Sequence, residues 1–336
     1  MLYVGIDVHW DRTTVVILDE NGKKFKVFTV RGGWRLVAAE LRKLRKKFVV
    51  CYEASTGYGV LYDMLIMLAE RVVVAHPGRL RMIYRSKRKS DRVDAGKLAK
   101  LLYMDCVPQV HVPSADVRSW RSLINHRSRM VDERARAKCQ VRALLRGLEI
   151  RGPRSLWSRA GREWLESLEF DSELDALRRD ELVLRIAHHD RMIRRVTKAL
   201  DKIAKNNAGV ALLMTIPGVG ARTAESVMAW IDTIKRFSSV REVAAYFGIV
   251  TSVDSSADRT RYGHITRQGP SVVRKYLVEA AWQGIRRSPT IGSYYARIAR
   301  NDKDRKKVAL VATAHYLVRV MAAMLRTGEV WRQEAA

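Results

Sequence analysis

Two carboxylates in the first part of the chain each stand at the end of an apolar stretch that has the character of a β-strand. Asp7 follows Leu2-Tyr3-Val4-Gly5-Ile6, and Glu53 follows Phe48-Val49-Val50-Cys51-Tyr52. A charged group that ends an apolar strand usually faces solvent, which is the simpler interpretation of Glu53 taken alone. Two such carboxylates on one sheet would instead suit a divalent cation, because Mg²⁺ prefers oxygen ligands.

A second pair of carboxylates lies in a strongly basic segment. Residues 79–100 contain nine Lys or Arg residues and only two acids, Asp91 and Asp94. In a helix their i,i+3 spacing puts both carboxylates on one face. Salt bridges to neighbouring cations are the alternative, but they do not explain why the only two acids share a face. With Asp7 and Glu53 they make four carboxylates, which are enough to hold two Mg²⁺ ions that polarise a phosphodiester. The surrounding cations would then contact a nucleic-acid backbone, a role that we assign to Arg85, Lys87, Arg88, Lys89 and Arg92.

The elements that would carry these carboxylates follow from the apolar pattern. Three alternating or β-branched runs come first, with the hairpin dipeptide Asn21-Gly22 between the second and the third. Strand–helix–strand alternation follows, and this order is typical of a ribonuclease H-like fold. The predicted strands are Leu2–His9, Thr13–Asp19, Lys24–Val30, Phe48–Glu53 and Val72–Ala75, and the predicted helices are Trp34–Lys47 and Tyr58–Glu70.

The remainder of the chain is predicted to be mainly helical. Between residues 174 and 203 apolar residues recur at spacings of three and four, which favours a helical hairpin or a short coiled coil with a scaffolding or dimerising role. From residue 209 the helical pattern continues, with a break rich in Gly, Ser and Thr between Gly248 and Pro270. We therefore predict an α/β domain followed by all-α parts, with boundaries at 1–113, 114–208 and 209–336.

A glycine-rich turn marks the start of the last part. Ile216-Pro217-Gly218-Val219-Gly220 lies between two helical runs and leaves backbone N–H groups at a helix N-terminus, where a phosphate can be held. This pattern resembles the helix-hairpin-helix DNA-binding motif, and an ordinary helix–helix turn is the alternative. The residues that would contact nucleic acid here are Gly218, Gly220 and Arg222.

Two adjacent serines, Ser255 and Ser256, fall within the later break. Serines in a loop are usually only turn formers. This pair, however, stands beside many cations, so that a hydroxyl could meet a phosphate while Arg and His side chains neutralise developing charge. The predicted nucleic-acid contacts of this region are Arg259, Arg261, His264, Arg267, Arg274 and Lys275.

The composition indicates a polyanionic partner. The 336 residues include 63 Lys and Arg against 35 Asp and Glu, a net charge of +28, which is too basic for an ordinary metabolic enzyme. Nucleic acid is the usual partner of such a chain, and a membrane surface is the weaker candidate. Three widely spaced cysteines indicate neither a zinc site nor a disulfide framework. No signal peptide and no transmembrane helix is predicted, which favours a cytoplasmic, nucleoid-associated protein.

Five segments together resemble the IS110 family of insertion-sequence transposases, which includes the Piv-type DNA invertases. They occur in the family's order, span most of the chain, and are Gly5-Ile6-Asp7-Val8, Tyr52-Glu53-Ala54-Ser55, Lys89-Ser90-Asp91-Arg92-Val93-Asp94-Ala95, Ile216-Pro217-Gly218-Val219-Gly220, and Gly248-Ile249-Val250 with Gly263-His264-Ile265-Thr266-Arg267-Gln268-Gly269. The resemblance implies a RuvC-like domain with a metal site at Asp7, Glu53, Asp91 and Asp94. It further implies a coiled-coil segment and a transposase domain bearing a nucleophilic serine.

The family resemblance also implies a mechanism and partners. The serine would form a covalent phosphoserine intermediate with DNA, in a site composed of two domains from different protomers, and dimers and tetramers would be the active forms. A structured noncoding bridge RNA would pair with both donor and target DNA. Family members usually have Ser-Ser-Gly or Ser-Gly where this chain has Ser255-Ser256-Ala257, and Ala257 removes the freedom of a glycine to adopt positive φ. Position in the motif favours Ser256 as the nucleophile, with Ser255 as the second choice.

Two other functions remain compatible with the sequence. One is a RuvC-like junction nuclease that hydrolyses DNA with metal-activated water and does not use its serines. The other is a non-catalytic nucleic-acid-binding or architectural protein. A protein–DNA adduct that resists denaturant would distinguish the recombinase from both.

Overall fold

The computed structural model of the chain describes residues 1–83, 90–256 and 259–332, with only the backbone for Ser256 and Arg259. It divides into two compact units, Met1–Arg118 and Ser119–Ala336. The division into three parts at residues 113 and 208 stays a prediction. The chain is mixed α/β, with a sheet in the first unit and mostly helices in the second.

The first unit is built on a five-stranded sheet. Strands β1 (Leu2–Val8), β2 (Arg12–Leu18) and β3 (Lys24–Arg31) form an antiparallel meander, and β4 (Phe48–Glu53) and β5 (Arg71–Ala75) continue the sheet in parallel with β1. The strand order is β3-β2-β1-β4-β5. All five predicted strands are present, because apolar or alternating runs between turn residues determine them locally.

Side chains alternate across this sheet, and both faces are covered. Ile6 of β1 and Tyr52 of β4 are paired in the parallel register and lie in one core, which also contains Val37 and Leu61. These two residues belong to the helices α1 (Trp34–Arg42) and α2 (Tyr58–Leu65). Both helices end before the predicted positions, Lys47 and Glu70. The apolar pattern continues past the helix ends because Leu44 and Leu68, in the following turns, still pack against the same core.

The other face of the sheet is covered by the helix that carries the second acidic pair. After β5 come α3 (Pro77–Ile83) and α4 (Asp91–Tyr103). Ser90 caps α4, its side chain accepting a hydrogen bond from the backbone N–H of Val93. Apolar residues of α4 pack against Cys51 and Val73 of the sheet.

The second unit is mainly helical, with one small hairpin. Its two long helices, α5 and α7, have 33 residues each and pack together through Val141 and Leu145 on one side and Leu182 and Ile186 on the other. The helix bounds are α5 (Ala115–Gly147), α6 (Arg159–Ser167), α7 (Glu173–Lys205), α8 (Ala208–Leu213), α9 (Ala221–Ile231), α10 (Val240–Tyr246), α11 (Ser271–Arg287), α12 (Pro289–Ala299) and α13 (Lys306–Thr327), with a 3₁₀ turn at Ile234–Arg236.

Helix α13 lies in the core of this unit. Among the described residues it is the one helix that is long and apolar enough to cross a membrane by length and composition. Half of its most apolar window is nevertheless buried inside the protein, and Leu310, Leu317 and Met321 are part of the main apolar cluster. Its apolar character is therefore explained by packing between helices.

The segment between Gly248 and Pro270 differs from the prediction. Instead of an irregular break, the structure has two antiparallel strands, β6 (Thr251–Ser256) and β7 (Arg259–Ile265). Its described side chains are mostly exposed and polar, so the apolar alternation that usually reveals a strand is absent. Backbone hydrogen bonds hold this hairpin together, and they leave little trace in the sequence.

Candidate active site

The carboxylates of the first unit lie on the sheet face that α4 covers. In the parallel register Gly5 is paired with Cys51 and Ile6 with Tyr52, so Asp7 and Glu53 are the next positions on adjacent strands. Because strand side chains alternate with a period of two, Asp7 shares the face of Gly5, and Glu53 shares that of Cys51. The sheet register therefore places both carboxylates at the same edge and on the same face.

A close backbone approach brings the start of α4 to this edge. A Cβ atom on Gly5 would lie 2.1 Å from the carbonyl oxygen of Ala95 and 2.4 Å from the backbone nitrogen of Ala99. Only glycine leaves room for the helix at this distance, and the small side chains of both alanines add to the fit. This contact sets the distance from β1 to the first turn of α4, where Asp91 and Asp94 lie.

Asp7, His9 and Asp91 form a compact cluster of potential metal ligands. One ligand atom from each lies within 4.8 Å of the other two, and the Nε2 atom of His9 is 3.5 Å from an Oδ atom of Asp7. The guanidinium of Arg12 donates a hydrogen bond to the Asp91 carboxylate. A cation that binds this carboxylate oxygen would have to displace the Arg12 guanidinium from it.

The electrostatics of the cluster favour a cation. Burial raises the pKa of Asp7, and the charges of Asp91 and Asp94 raise it further, against a lowering by His9. The hydrogen bond from Arg12 lowers the pKa of Asp91. A partly buried carboxylate that faces two others is stabilised in its ionised form by a bound divalent cation.

Glu53 and Asp94 lie near this cluster but are not part of it. Glu53 is exposed at the end of β4, and Asp94 forms a 2.9 Å salt bridge with Lys97 on its own helix. The charge of Asp94 still acts on Asp7, which places the two carboxylates close to each other. The structure thus groups Asp7 with Asp91, and the full set of four carboxylate ligands stays a prediction.

His9 and Arg12 are two members of the site that the sequence analysis did not identify. The spacing of Asp7 and His9 at the end of a predicted strand contained the signal, since residues two apart on a strand share a face. Arg12 could not be found in this way, because its partner Asp91 is 79 residues away in the sequence.

In the second unit, the serine pair lies at the tip of the β6–β7 hairpin. The Oγ atom of Ser255 is 2.8 Å from that of Thr260. Ser256 is paired with Arg259, and Asp254 with Arg261. Positions two apart on a strand belong to one face, so position 256 belongs to the face of positions 254 and 261, whereas Ser255 faces the other way. Ala257 lies outside the described residues.

The predicted nucleic-acid contacts divide into two groups. Arg92, Arg261, His264 and Arg267 are exposed and available to a polyanion. Three others are engaged within the fold: Arg222 with Asp201 and Glu225, Arg274 with the carbonyl groups of Phe247, Gln268 and Gly269, and Lys275 with Asp132. Their contact with nucleic acid stays a prediction, as does that of Arg85, Lys87, Arg88 and Lys89, which lie outside the described residues, and of Arg259.

The predicted glycine turn connects α8 to α9. Gly218 has a φ of +90°, and Gly220 is the N-cap residue of α9. The turn thus connects two helices and has a helix N-terminus directly behind it, while its contact with nucleic acid through Gly218 and Gly220 stays a prediction.

Comparison with known proteins agrees with this arrangement. Residues 4–150 match the model of the DEDD transposases of IS110, and residues 210–296 match the model of the transposase IS116/IS110/IS902 family. The first match contains Asp7, Glu53 and Asp91, and the second contains the glycine turn and the serine hairpin.

Individual transposases are similar along most of their length. The y4qE transposase of Sinorhizobium fredii is 28% identical over 298 residues, which cover 86% of this chain and 73% of that protein. The transposase of insertion sequence element IS1533 of Leptospira borgpetersenii is 24% identical and covers 93% of each chain. The transposase of element IS1111A of Coxiella burnetii is 24% identical over 83% of this chain and 76% of its own. This chain therefore belongs to the IS110 family and is a transposase, an enzyme that cleaves and rejoins DNA.

Proposed function

We propose that this transposase moves its own insertion sequence with a serine nucleophile, with Mg²⁺ at the carboxylate cluster, and with a bridge RNA as guide. The convergence of Asp7 and Asp91 within the matched DEDD segment carries the proposal. The strand order β3-β2-β1-β4-β5, with the first three strands antiparallel, supports a ribonuclease H-like, RuvC-like fold for the first unit. Such a fold places catalytic carboxylates on the central strand.

The carboxylates of the first unit suit Mg²⁺ as the ion. Asp7, Glu53, Asp91 and Asp94 supply oxygen ligands, and the partial burial of Asp7 beside two other carboxylates leaves negative charge to be compensated. Two ions bound there would polarise a phosphodiester and stabilise charge on its oxygens. Arg12 holds Asp91 at the cluster, and exposed Arg92 stands in the same turn of α4 to hold a phosphate of the strand.

The serine would form a covalent intermediate with the DNA strand. The serine hydroxyl would lose its proton and its Oγ atom would attack phosphorus. The Oγ–P bond would form as the bond between phosphorus and a deoxyribose oxygen breaks, and that oxygen would take a proton. Attack by a sugar hydroxyl of another strand reverses the step and rejoins the DNA. Ser256 is the proposed nucleophile because its position shares a face with Arg261, whose charge would stabilise the phosphate.

The partners of the protein follow from charge and surface. A net charge of +28 suits a protein that holds DNA and RNA together in the cytoplasm, at the nucleoid. Three leucines of α7 stay exposed, Leu174 at 77%, Leu177 at 59% and Leu184 at 63%. We assign this stripe to contact between copies of the chain, as dimers or tetramers.

A covalent-adduct assay tests the chemistry. The protein, its element-derived RNA, DNA with the element ends and Mg²⁺ are incubated, and a protein–DNA species that survives detergent denaturation is measured. We expect Ser256→Ala and Asp7→Asn to abolish it. Ser252→Ala is the matched control, because this serine lies on the same strand and its Oγ donates to the carbonyl oxygen of His264.

The outcomes separate the candidate functions. If the adduct is lost in Ser255→Ala and retained in Ser256→Ala, Ser255 is the nucleophile. Nicked DNA without an adduct in the parent would establish a hydrolytic RuvC-like nuclease. Full activity in Asp7→Asn would contradict the metal site.

The guide is tested separately. The protein is expressed with the noncoding flank of its own element, and the co-purifying RNA is sequenced. Enrichment of one discrete RNA from that flank is the expected result. If only bulk cellular RNA co-purifies, and it dissociates as the salt concentration rises, the net positive charge binds RNA non-specifically and the guide proposal is refuted.

A further inference from the structure

An open pocket in the second unit lies between the glycine turn before α9 and the second half of α11. Its volume is about 570 Å³, within the range of roughly 300–1,000 Å³ that is usual for small-ligand sites. A single nucleotide fits a space of this size. Its lining includes Gly218, Gly220, Glu279, Trp282, Arg286 and Arg287.

The turn and α11 are held together without intervening side chains. A Cβ atom on Gly218 would lie 2.4 Å from the backbone nitrogen of Gly284 and 2.8 Å from the carbonyl carbon of Gln283. The turn is therefore pressed against α11 at this point. Gly220, the N-cap residue of α9, lines the same pocket as the arginines that end α11.

One end of the pocket is aromatic and cationic. The side chain of Trp282 is 42% exposed, and its ring is 6.3 Å from that of Tyr295. The guanidinium of Arg286 lies 5.9 Å from the Trp282 ring. Arg286 and Arg287 are exposed, and neither forms an ion pair with any residue that the structure describes. Two guanidinium groups that form no ion pair with a described residue, beside an exposed indole, suit a phosphate and a base at once.

The other end of the pocket carries a carboxylate. Glu279 is exposed on α11, and it would repel a phosphate placed next to it. A carboxylate can accept a hydrogen bond from the exocyclic amino group of a base. The lining therefore favours one orientation of a bound nucleotide, with its phosphate at the two arginines and the edge of its base toward Glu279.

We propose that this pocket binds one unstacked nucleotide of a single-stranded nucleic acid, with its base on Trp282 and its phosphate on Arg286 and Arg287. A base within a duplex has both faces stacked, so it cannot lie on an indole. The inference deepens the proposed function and rests on it, since it names the form of nucleic acid that the second unit holds. It adds Trp282, Glu279, Arg286 and Arg287 to the residues that contact nucleic acid.

Oligonucleotide binding by the full chain tests the pocket. Affinities for single-stranded DNA, single-stranded RNA and duplex DNA are measured by fluorescence anisotropy at one fixed salt concentration. We expect Trp282→Leu to weaken single-strand binding by about 5- to 150-fold, the range for loss of one stacked base, and Trp282→Tyr to retain most of it. Duplex binding stays unchanged in both.

The controls separate the pocket from general charge and from misfolding. The double substitution Arg286→Ala and Arg287→Ala should weaken single-strand binding more than Lys235→Ala with Arg241→Ala, which removes two exposed cations elsewhere in this unit. Unchanged duplex binding by Trp282→Leu excludes a folding defect in that variant. An oligonucleotide with 5-iodouridine should crosslink to Trp282 on irradiation, as mapped by mass spectrometry.

Each result decides the inference. A loss on both kinds of single strand supports it, and a loss on only RNA or only DNA supports it and identifies the strand. Unchanged single-strand affinity in Trp282→Leu overturns it, as does an equal loss on duplex DNA. The recombinase proposal is tested separately, by whether the parent protein forms the covalent adduct. If the parent forms the adduct and Trp282→Leu binds single strands normally, only the pocket proposal is refuted. If the parent forms no adduct but its single-strand binding depends on Trp282, only the recombinase proposal is refuted.

Discussion

Glu225 is a buried carboxylate on α9 whose titration bears on the stability of the second unit. Its side chain is 1% exposed, and its Oε1 atom is 3.2 Å from Nε of Arg222. Burial raises the pKa of Glu225 to about 7, and the charge of Asp201 adds to the rise, against lowering by Arg222 and Arg127. The folded chain thus holds this proton more tightly than the unfolded chain, where the pKa is near 4.5.

The sign of the pH effect follows from this difference. Because the folded state binds more protons between about pH 4.5 and 7, the contribution of Glu225 to the free energy of unfolding is largest below that window and is lost as pH rises through it, by at most about 1.4 kcal/mol per pH unit. We expect the free energy of unfolding to fall less between pH 5 and pH 8 in Glu225→Gln than in the parent. Denaturant unfolding at these two pH values measures the difference, and Glu181→Gln, at an exposed site on α7, is the control. Equal slopes in the parent and in Glu225→Gln would contradict the assignment.

At the scale of elements, the contact between β1 and α4 positions the carboxylate cluster. A methyl group on Gly5 would meet backbone atoms of Ala95 and Ala99 at 2.1 and 2.4 Å, and backbone cannot move aside as a side chain can. We expect Gly5→Ala to push α4 from the sheet, to lower the free energy of unfolding by about 1–3 kcal/mol, and to weaken Mg²⁺ binding as Asp91 moves from Asp7. Calorimetry with Mg²⁺ and denaturant unfolding measure both effects.

The matched control for Gly5→Ala is a glycine of α4 itself. A Cβ atom on Gly96 meets nothing within 4 Å, so Gly96→Ala should leave metal binding unchanged and stabilise α4 by about 0.5–1 kcal/mol, the usual gain for alanine over glycine in a helix interior. Normal metal affinity in Gly5→Ala would show that the cluster tolerates movement of α4.

How well an element could be predicted depends on what holds it in place. β4 was predicted at its observed bounds, Phe48–Glu53, because a continuous apolar run between polar flanks determines a buried strand. The β6–β7 hairpin was not predicted, because its exposed strands carry no apolar alternation. At the site, the spacing of Asp91 and Asp94 indicated their shared face. The pairing of Arg12 with Asp91 depends instead on tertiary packing, which local spacing does not encode.

At the scale of the whole molecule, the exposed leucines of α7 should govern assembly. One face of α7 is buried through Leu182 and Ile186, so the exposed residues Leu174, Leu177 and Leu184 form a separate stripe. Their spacings of three and seven residues keep them within one face of the helix. An apolar stripe in an otherwise charged helix costs solubility unless a partner covers it, and an identical stripe on a second copy would cover it.

We expect the double substitution Leu177→Lys and Leu184→Lys to lower the mass of the protein in solution to that of one chain, because four lysines would meet across a two-fold interface. Light scattering after size exclusion measures the mass. Val308→Lys is the control, since this residue is 59% exposed on α13, away from the stripe. If activity requires a site shared between copies, the double variant should lose adduct formation while it keeps Mg²⁺ binding. An unchanged mass would refute the leucine interface, and a single-chain protein with full activity would refute the requirement for a second copy.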